Sequence, residues 1–157
     1  MSAAMIACAS ADPDCMEARG LIAELDAALA AICGDSGSAS FDANDVRGPR
    51  AVFLLARDAS GVAVGCGALR PLRADVAEVK RMYARPGSGA GMVLLSELER
   101  RARAFGYRAV WLETRRVNAR AVAFYERNGY RVIPNYGKYM GREDAVCLGK
   151  TLALIGN

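Results

Sequence analysis

Residues 76–114 constrain the fold more than any other stretch: VAEVKRMYA, then RPGSG, then AGMVLLSELERRARAF, then GYRAVWLET. The alternating run 76–84 reads as a strand that ends where proline and glycine begin. Beyond it, Leu94, Leu95, Leu98, Ala102 and Phe105 recur at helical spacing, which predicts a helix from Gly89 to Phe105, stopped by Gly106. Glu97–Arg101 and Glu99–Arg103 would be i,i+4 pairs on its wet side. RAVWLET (108–114) reads as another strand. A helix held between two strands commits the chain to an α/β architecture.

The flanking segments fill in the rest. Met16 to Ile32 carries Leu21, Ile22, Leu25, Leu29 and Ile32, an amphipathic helix that Gly34 ends. Residues 34–50 are polar and glycine-rich, a mobile loop of lid length with room for a short helix. AVFLLARD (51–58) and VAVGCGALR (62–70) make a hairpin about Ala59-Ser60-Gly61. Asn118 caps a helix running to Asn128, with Gly129 as its stop, and YRVI (130–133) and 145–154 are closing strands around PNYGKYMGRED. The expectation is one domain over residues 1–157, with a mixed central sheet of about six to seven strands flanked by helices.

Composition narrows the chemistry. The chain has no histidine, which removes Ser-His-Asp and Cys-His catalysis, histidine metal sites and any imidazole base. Proton transfer would fall to Glu, Asp, Tyr, Lys, Cys or water. Five cysteines, an odd number without a C-x-x-C pair, read as reduced thiols in a cytoplasmic protein. No apolar run approaches the roughly 20 residues that cross a membrane, and the opening MSAAMIACASADPDC lacks the basic start of a signal peptide. A net charge of +4 favours an anionic ligand without indicating nucleic acid. Arg100, Arg101, Arg103, Arg115, Arg116 and Arg120 could suggest nucleic acid, but they are interleaved with glutamates, so a solvated helix face is the reading.

Strand, glycine turn and helix together make an anion site, because first-turn amides have no internal partner and glycine lets an anion approach them. The stretch Gly87-Ser88-Gly89-Ala90-Gly91 has that context, whereas a linker would not be followed at once by a strong helix. Its G-x-G-x-G spacing departs from the dinucleotide fingerprint. The Gly149-Lys150-Thr151 run lacks the upstream glycine of a nucleotide P-loop.

Two signatures in order, EVKRMYARPGSGAG and NARAVAFYERNGY, resemble those of the GNAT superfamily of N-acetyltransferases over about residues 62–152. The second signature places Asn118, Ala121, Phe124, Tyr125, Gly129 and Tyr130 at the family's positions. The resemblance implies acetyl-CoA as co-substrate and no metal. Its pyrophosphate would lie on the amides of Gly87 to Gly91, with Arg85 able to supply charge where Pro86 departs from the family's Arg or Gln. Met82, Tyr83 and Ala84 would carry the thioester arm, Met82 through its backbone N–H, and Asn118 and Ala121 would complete the cofactor contacts. Tyr125 is implied as the proton donor to the leaving thiolate and Glu78 as the base; strand alternation puts Lys80 and Met82 on Glu78's face. Arg70, Arg81 and Tyr136 are weaker acceptor-site candidates. The acceptor read from these features is a small-molecule amine. A protein N-terminal or lysine acetyltransferase, or a silent CoA-binding module, remains the alternative, and a homodimer would be usual for the family.

Overall fold

The computed structural model describes residues 5–153. The predicted final strand extends to Leu154, which lies outside the described residues, as do residues 1–4 of the opening segment. One seven-stranded sheet runs in the order β1-β2-β3-β4-β5-β7-β6. Its strands are β1 (Ala7–Ser10), β2 (Val52–Arg57), β3 (Ala63–Arg73), β4 (Val76–Ala84), β5 (Ala109–Arg115), β6 (Arg131–Ile133) and β7 (Ala145–Thr151). The helices are α1 (Met16–Cys33), α2 (Ala90–Ala104) and α3 (Ala119–Arg127). Only β4 and β5 pair in parallel, across the α2 crossover, so the sheet is mixed as expected.

Both faces of the sheet are covered, and strand alternation sorts the side chains between them. Val52, Leu54 and Ala56 of β2 join Ala77 and Val79 of β4 and Leu94, Leu95 and Leu98 of α2 in one core. Phe53 and Leu55 point the other way, with Ala18 and Leu21 of α1. A smaller cluster on that second face holds Tyr136, Tyr139, Ala145 and Cys147. All five cysteines are free thiols.

Three expectations are changed or sharpened. β1 was not predicted; ACAS pairs antiparallel with β2 from Ala7↔Arg57 to Ser10↔Leu54. The loop 34–50 carries short helical structure, as the sequence allowed: 3-10 turns form at Ser38–Ser40 and Ala43–Val46, and Val46 is buried in the α1-side core. Arg47 ties the second turn to Asp12, at 2.9 Å.

The third concerns Glu99. The predicted Glu99–Arg103 pair is replaced by a buried cluster: Glu99, 7% exposed, accepts from the Tyr130 hydroxyl and from Lys150 Nζ, each at 2.9 Å. Glu99 follows Leu95 by one turn and so flanks the apolar stripe, where a carboxylate needs partners. Glu97 takes the solvent-side role, with Arg100 and Arg101. Lys150→Met would leave this carboxylate with the tyrosine alone, and an expected loss of about 1–3 kcal/mol follows. Urea unfolding reads it. Adding Glu99→Gln should recover part of the loss, and equal melts for parent and Lys150→Met would refute the cluster's contribution.

Candidate active site

The site begins where two strands part. β4 and β5 are paired at Val76↔Ala109, Ala77↔Val110 and Glu78↔Trp111, and the register ends there. Beyond it a cleft of about 170 Å³ opens between Val79–Met82 and Leu112–Thr114. Asn118, Ala121 and Tyr125 of the α3 segment line its floor.

A β-bulge shapes the β4 wall. Lys80 pairs with Ala68 and Tyr83 with Cys66, so Arg81 and Met82 together oppose Gly67. Arg81 takes φ 52°, in the left-handed region that non-glycine residues seldom adopt. Its guanidinium is held by Asp26 of α1 and donates to the Ser36 carbonyl at 3.1 Å. The Cys66 thiol, pushed up to about 12 by burial, stays protonated and donates to the Arg81 carbonyl at 3.4 Å. The extra residue reverses the alternation. Glu78 and Lys80 remain on the α1-side face, while Met82 and Ala84 pack on the α2-side core, so the predicted sharing of Glu78's face by Met82 does not hold. Gly67 makes room, since a Cβ there would lie 3.2 Å from Met82 Sδ. Tyr83 points to the α1 side, its hydroxyl donating to Glu24 at 3.0 Å.

Glu78 is 3% exposed and sits at the vertex. Arg70, its antiparallel neighbour on β3, donates to Oε1 at 2.8 Å. The Tyr136 hydroxyl donates to Oε2 at 2.6 Å, with its ring 5.3 Å from Trp111. Burial and the Glu78 charge push the Tyr136 hydroxyl far above its usual range, so it remains a donor. Arg70 and Tyr136, named from the sequence as acceptor contacts, both donate to Glu78 and so also hold its carboxylate in place. Each carboxylate oxygen keeps a further lone pair for an incoming proton.

Tyr125 is 7% exposed and lines the cleft, its ring edge-on to Phe124 and Tyr130. Burial alone raises its hydroxyl well above the ordinary tyrosine value. Among the described residues the hydroxyl has no hydrogen-bond partner, which leaves its proton available toward the cleft. Asn118 caps α3, accepting from the Ala121 amide at 3.2 Å, as the sequence predicts.

At the other end of β4, Gly87 and Gly89 adopt φ 77° and 75°, which turns the chain into α2. Ser88 Oγ accepts from the Ala90 amide at 3.3 Å. The first turn of α2 carries no acidic residue, so its amides present an uncompensated positive end. A Cβ at Gly91, in the first turn of α2, would meet the Phe124 ring at 3.4 Å, so a larger residue there would press on α3. Arg85 pairs with Glu24 at 2.8 Å, half-exposed, within the same α1–β4 corner. These residues fit a long ligand with a pyrophosphate at α2 and a thioester arm in the cleft.

Sequence reasoning missed Glu113, which lines the cleft and is ion-paired with Arg115. Burial raises its carboxyl despite that partner. The alternation of RAVWLET, which puts Glu113 on Trp111's face, was the available signal. Among the described residues no cluster suits a metal ion, and no helix is long and apolar enough to cross a membrane.

Comparison with known proteins follows the same lines. The Acetyltransferase (GNAT) family profile matches residues 18–130. An IAA acetyltransferase of Azospirillum brasilense is 35% identical over 123 residues, 76% of this chain and 80% of that one. A Klebsiella pneumoniae protein described as an acyl-CoA N-acyltransferase superposes with a TM-score of 0.79 at 30% identity, covering 95% of this chain and 99% of the other. A Bacillus anthracis protein described as a streptothricin acetyltransferase, solved with acetyl coenzyme A, shares the fold at 19% identity (TM-score 0.60, covering 70% and 67% of the two chains). A split between β4 and β5, a glycine turn into α2 and a family profile spanning both place this chain in the GNAT family of acetyl-CoA-dependent N-acetyltransferases.

Proposed function

We propose that the chain, acting as one cytoplasmic domain, transfers the acetyl group of acetyl-CoA to a primary amine of a small-molecule acceptor by direct attack. The observation that carries this reading is the position of Glu78, at the vertex where the cleft opens, with Tyr125 lining the same cleft. In this reading the pyrophosphate rests on the loop Gly87–Gly91 and the thioester arm lies along Met82–Ala84, like an added strand. A substrate amine has a pKa near 10 and is mostly protonated at neutral pH, so Glu78 takes its proton, directly or through water. The Met82 backbone N–H supports the charge that develops on the acetyl oxygen. The C–N bond forms as the C–S bond breaks, and Tyr125 donates its proton to the leaving sulfur. The acetyl-CoA bound in the Bacillus anthracis relative and the acetyltransferase name of the Azospirillum protein support the same assignment of co-substrate and class.

The test is release of free thiol from acetyl-CoA with a panel of amino acids, polyamines, aminoglycosides and peptides. Thiol release matched by N-acetylated product is expected with small amines. Tight CoA binding without turnover of any amine would make the chain a binding module, and turnover confined to peptides would assign it a protein acceptor.

A further inference from the structure

A second cavity, of about 300 Å³, also has Glu78 in its lining, without Asn118, Ala121 or Tyr125. Asp45, Arg70, Lys80, Tyr136, Lys138 and Tyr139 line it. Glu78, Lys80 and Tyr139 belong to both cavities, so the two meet at the proposed base. A small molecule filling this cavity would lie against Glu78.

The charges in this cavity are unevenly disposed. Both of its carboxylates are turned toward Arg70: Glu78 Oε1 lies 2.8 Å from Nη1 and Asp45 Oδ2 3.4 Å from Nε. Arg70 Nε is itself buried without a hydrogen-bond partner. The two lysines both lie near one ring: Lys80 Nζ is 6.0 Å and Lys138 Nζ 5.7 Å from the centre of Tyr139. The Lys80 side chain is 8% exposed; its ammonium donates to the Tyr139 hydroxyl at 3.4 Å and lies 4.0 Å from Glu78 Oε1. Burial lowers the Lys80 pKa; Glu78 opposes this, while Lys138 and Arg70 reinforce it. An ammonium so placed is stabilised by an added negative charge and destabilised by an added positive one.

We infer that the acceptor is an anionic amine, a small molecule whose carboxylate or phosphate docks between Lys80 and Lys138 while its amino group faces Glu78. This rests on the amine-acetylation reading above and narrows it. Polyamines, which would bring a second cation to the lysines, are poor acceptors on this account.

Matched acceptors test it: glycine, β-alanine and γ-aminobutyrate against their amides, O-phosphoethanolamine against ethanolamine, and putrescine as the dication. Thiol release gives kcat/KM, and calorimetry on the CoA-loaded enzyme gives affinity without turnover. The anionic member of a pair is expected to be favoured by about tenfold or more in kcat/KM, with KM rising as salt is added. The amino-acid and phosphate arms identify which anion fits. Lys138→Gln, at an exposed position where folding is not at risk, should draw the ratio within each pair toward one, and Lys80→Met should do so further. Equal or better turnover of amides, ethanolamine or putrescine overturns the inference and leaves amine acetylation standing. Preferential binding of the anionic members without thiol release from any amine keeps the anion site and refutes the acetylation reading. Neither binding preference nor turnover removes both.

Discussion

Glu78→Gln is expected to lower kcat/KM at pH 7 by about a hundredfold to ten-thousandfold, the range a positioned general base supplies. Glutamine has nearly the same shape, so the vertex of β4 and β5 should stay filled. It has one acceptor oxygen where Glu78 satisfies both Arg70 and Tyr136, and the lost charged hydrogen bond costs about 1.5–3 kcal/mol of stability. That loss is too small to unfold the chain and is read separately by urea. Affinity for CoA should hardly move, because Glu78 lies at the vertex and α2 begins beyond the far end of β4. The pH profile distinguishes base from scaffold. At pH 7 only about one amine in a thousand is unprotonated for a pKa near 10, and by pH 9.5 a substantial fraction is. The deficit of Glu78→Gln should therefore shrink as pH rises. A deficit equal at both pH values, or one accompanied by lost CoA affinity, would make Glu78 a structural carboxylate.

The sequence carried the local parts of this fold. Helices predicted at 16–32, 89–105 and 118–128 appear at 16–33, 90–104 and 119–127, because their apolar spacing and glycine stops act over single turns. β1 escaped because ACAS shows no alternation; it is a strand only because β2 offers it an edge. The bulge at Arg81 escaped for a similar reason. EVKRMYA alternates well enough to look regular, and one extra residue flips every later side chain. Only the partners of Arg81 and Cys66, on α1 and β3, reveal it. In the candidate site, the motif named Glu78, Tyr125 and Asn118 by position, and all three line one cleft. Their surroundings needed the fold: Tyr136 reaches Glu78 across 58 residues of sequence, and Lys150 reaches Glu99 across 51. Arg70–Glu78 was closer to legible, since the β3–β4 hairpin sets them side by side, but the register depends on bulges at both ends.

Tyr125→Phe is the complementary experiment, with kcat expected to fall about a hundredfold or more and KM for acetyl-CoA to change little. The substitution removes one oxygen that has no hydrogen-bond partner among the described residues, so the edge-on packing with Phe124 and Tyr130 should survive. Stability at neutral pH should accordingly be unchanged or slightly raised. At alkaline pH the sign can be worked out. Burial raises the folded-state pKa of Tyr125 above the unfolded value near 10, so the fold loses stability as pH climbs beyond about 10 and the unfolded chain ionises. The phenylalanine variant should lose less stability over that window. Activity below it is governed by the leaving group. A CoA thiolate with a pKa near 8.5 is a moderate leaving group, and a protonated Tyr125 shortens the lifetime of its charge in a dry cleft. An acetyl donor with a more acidic thiol needs that proton less, so the deficit of Tyr125→Phe should contract with such a donor. The Glu78→Gln deficit should not, because Glu78 acts on the amine. If both deficits contract together, or if Tyr125→Phe leaves kcat intact, the proton comes from water and Tyr125 serves only as a wall of the cleft.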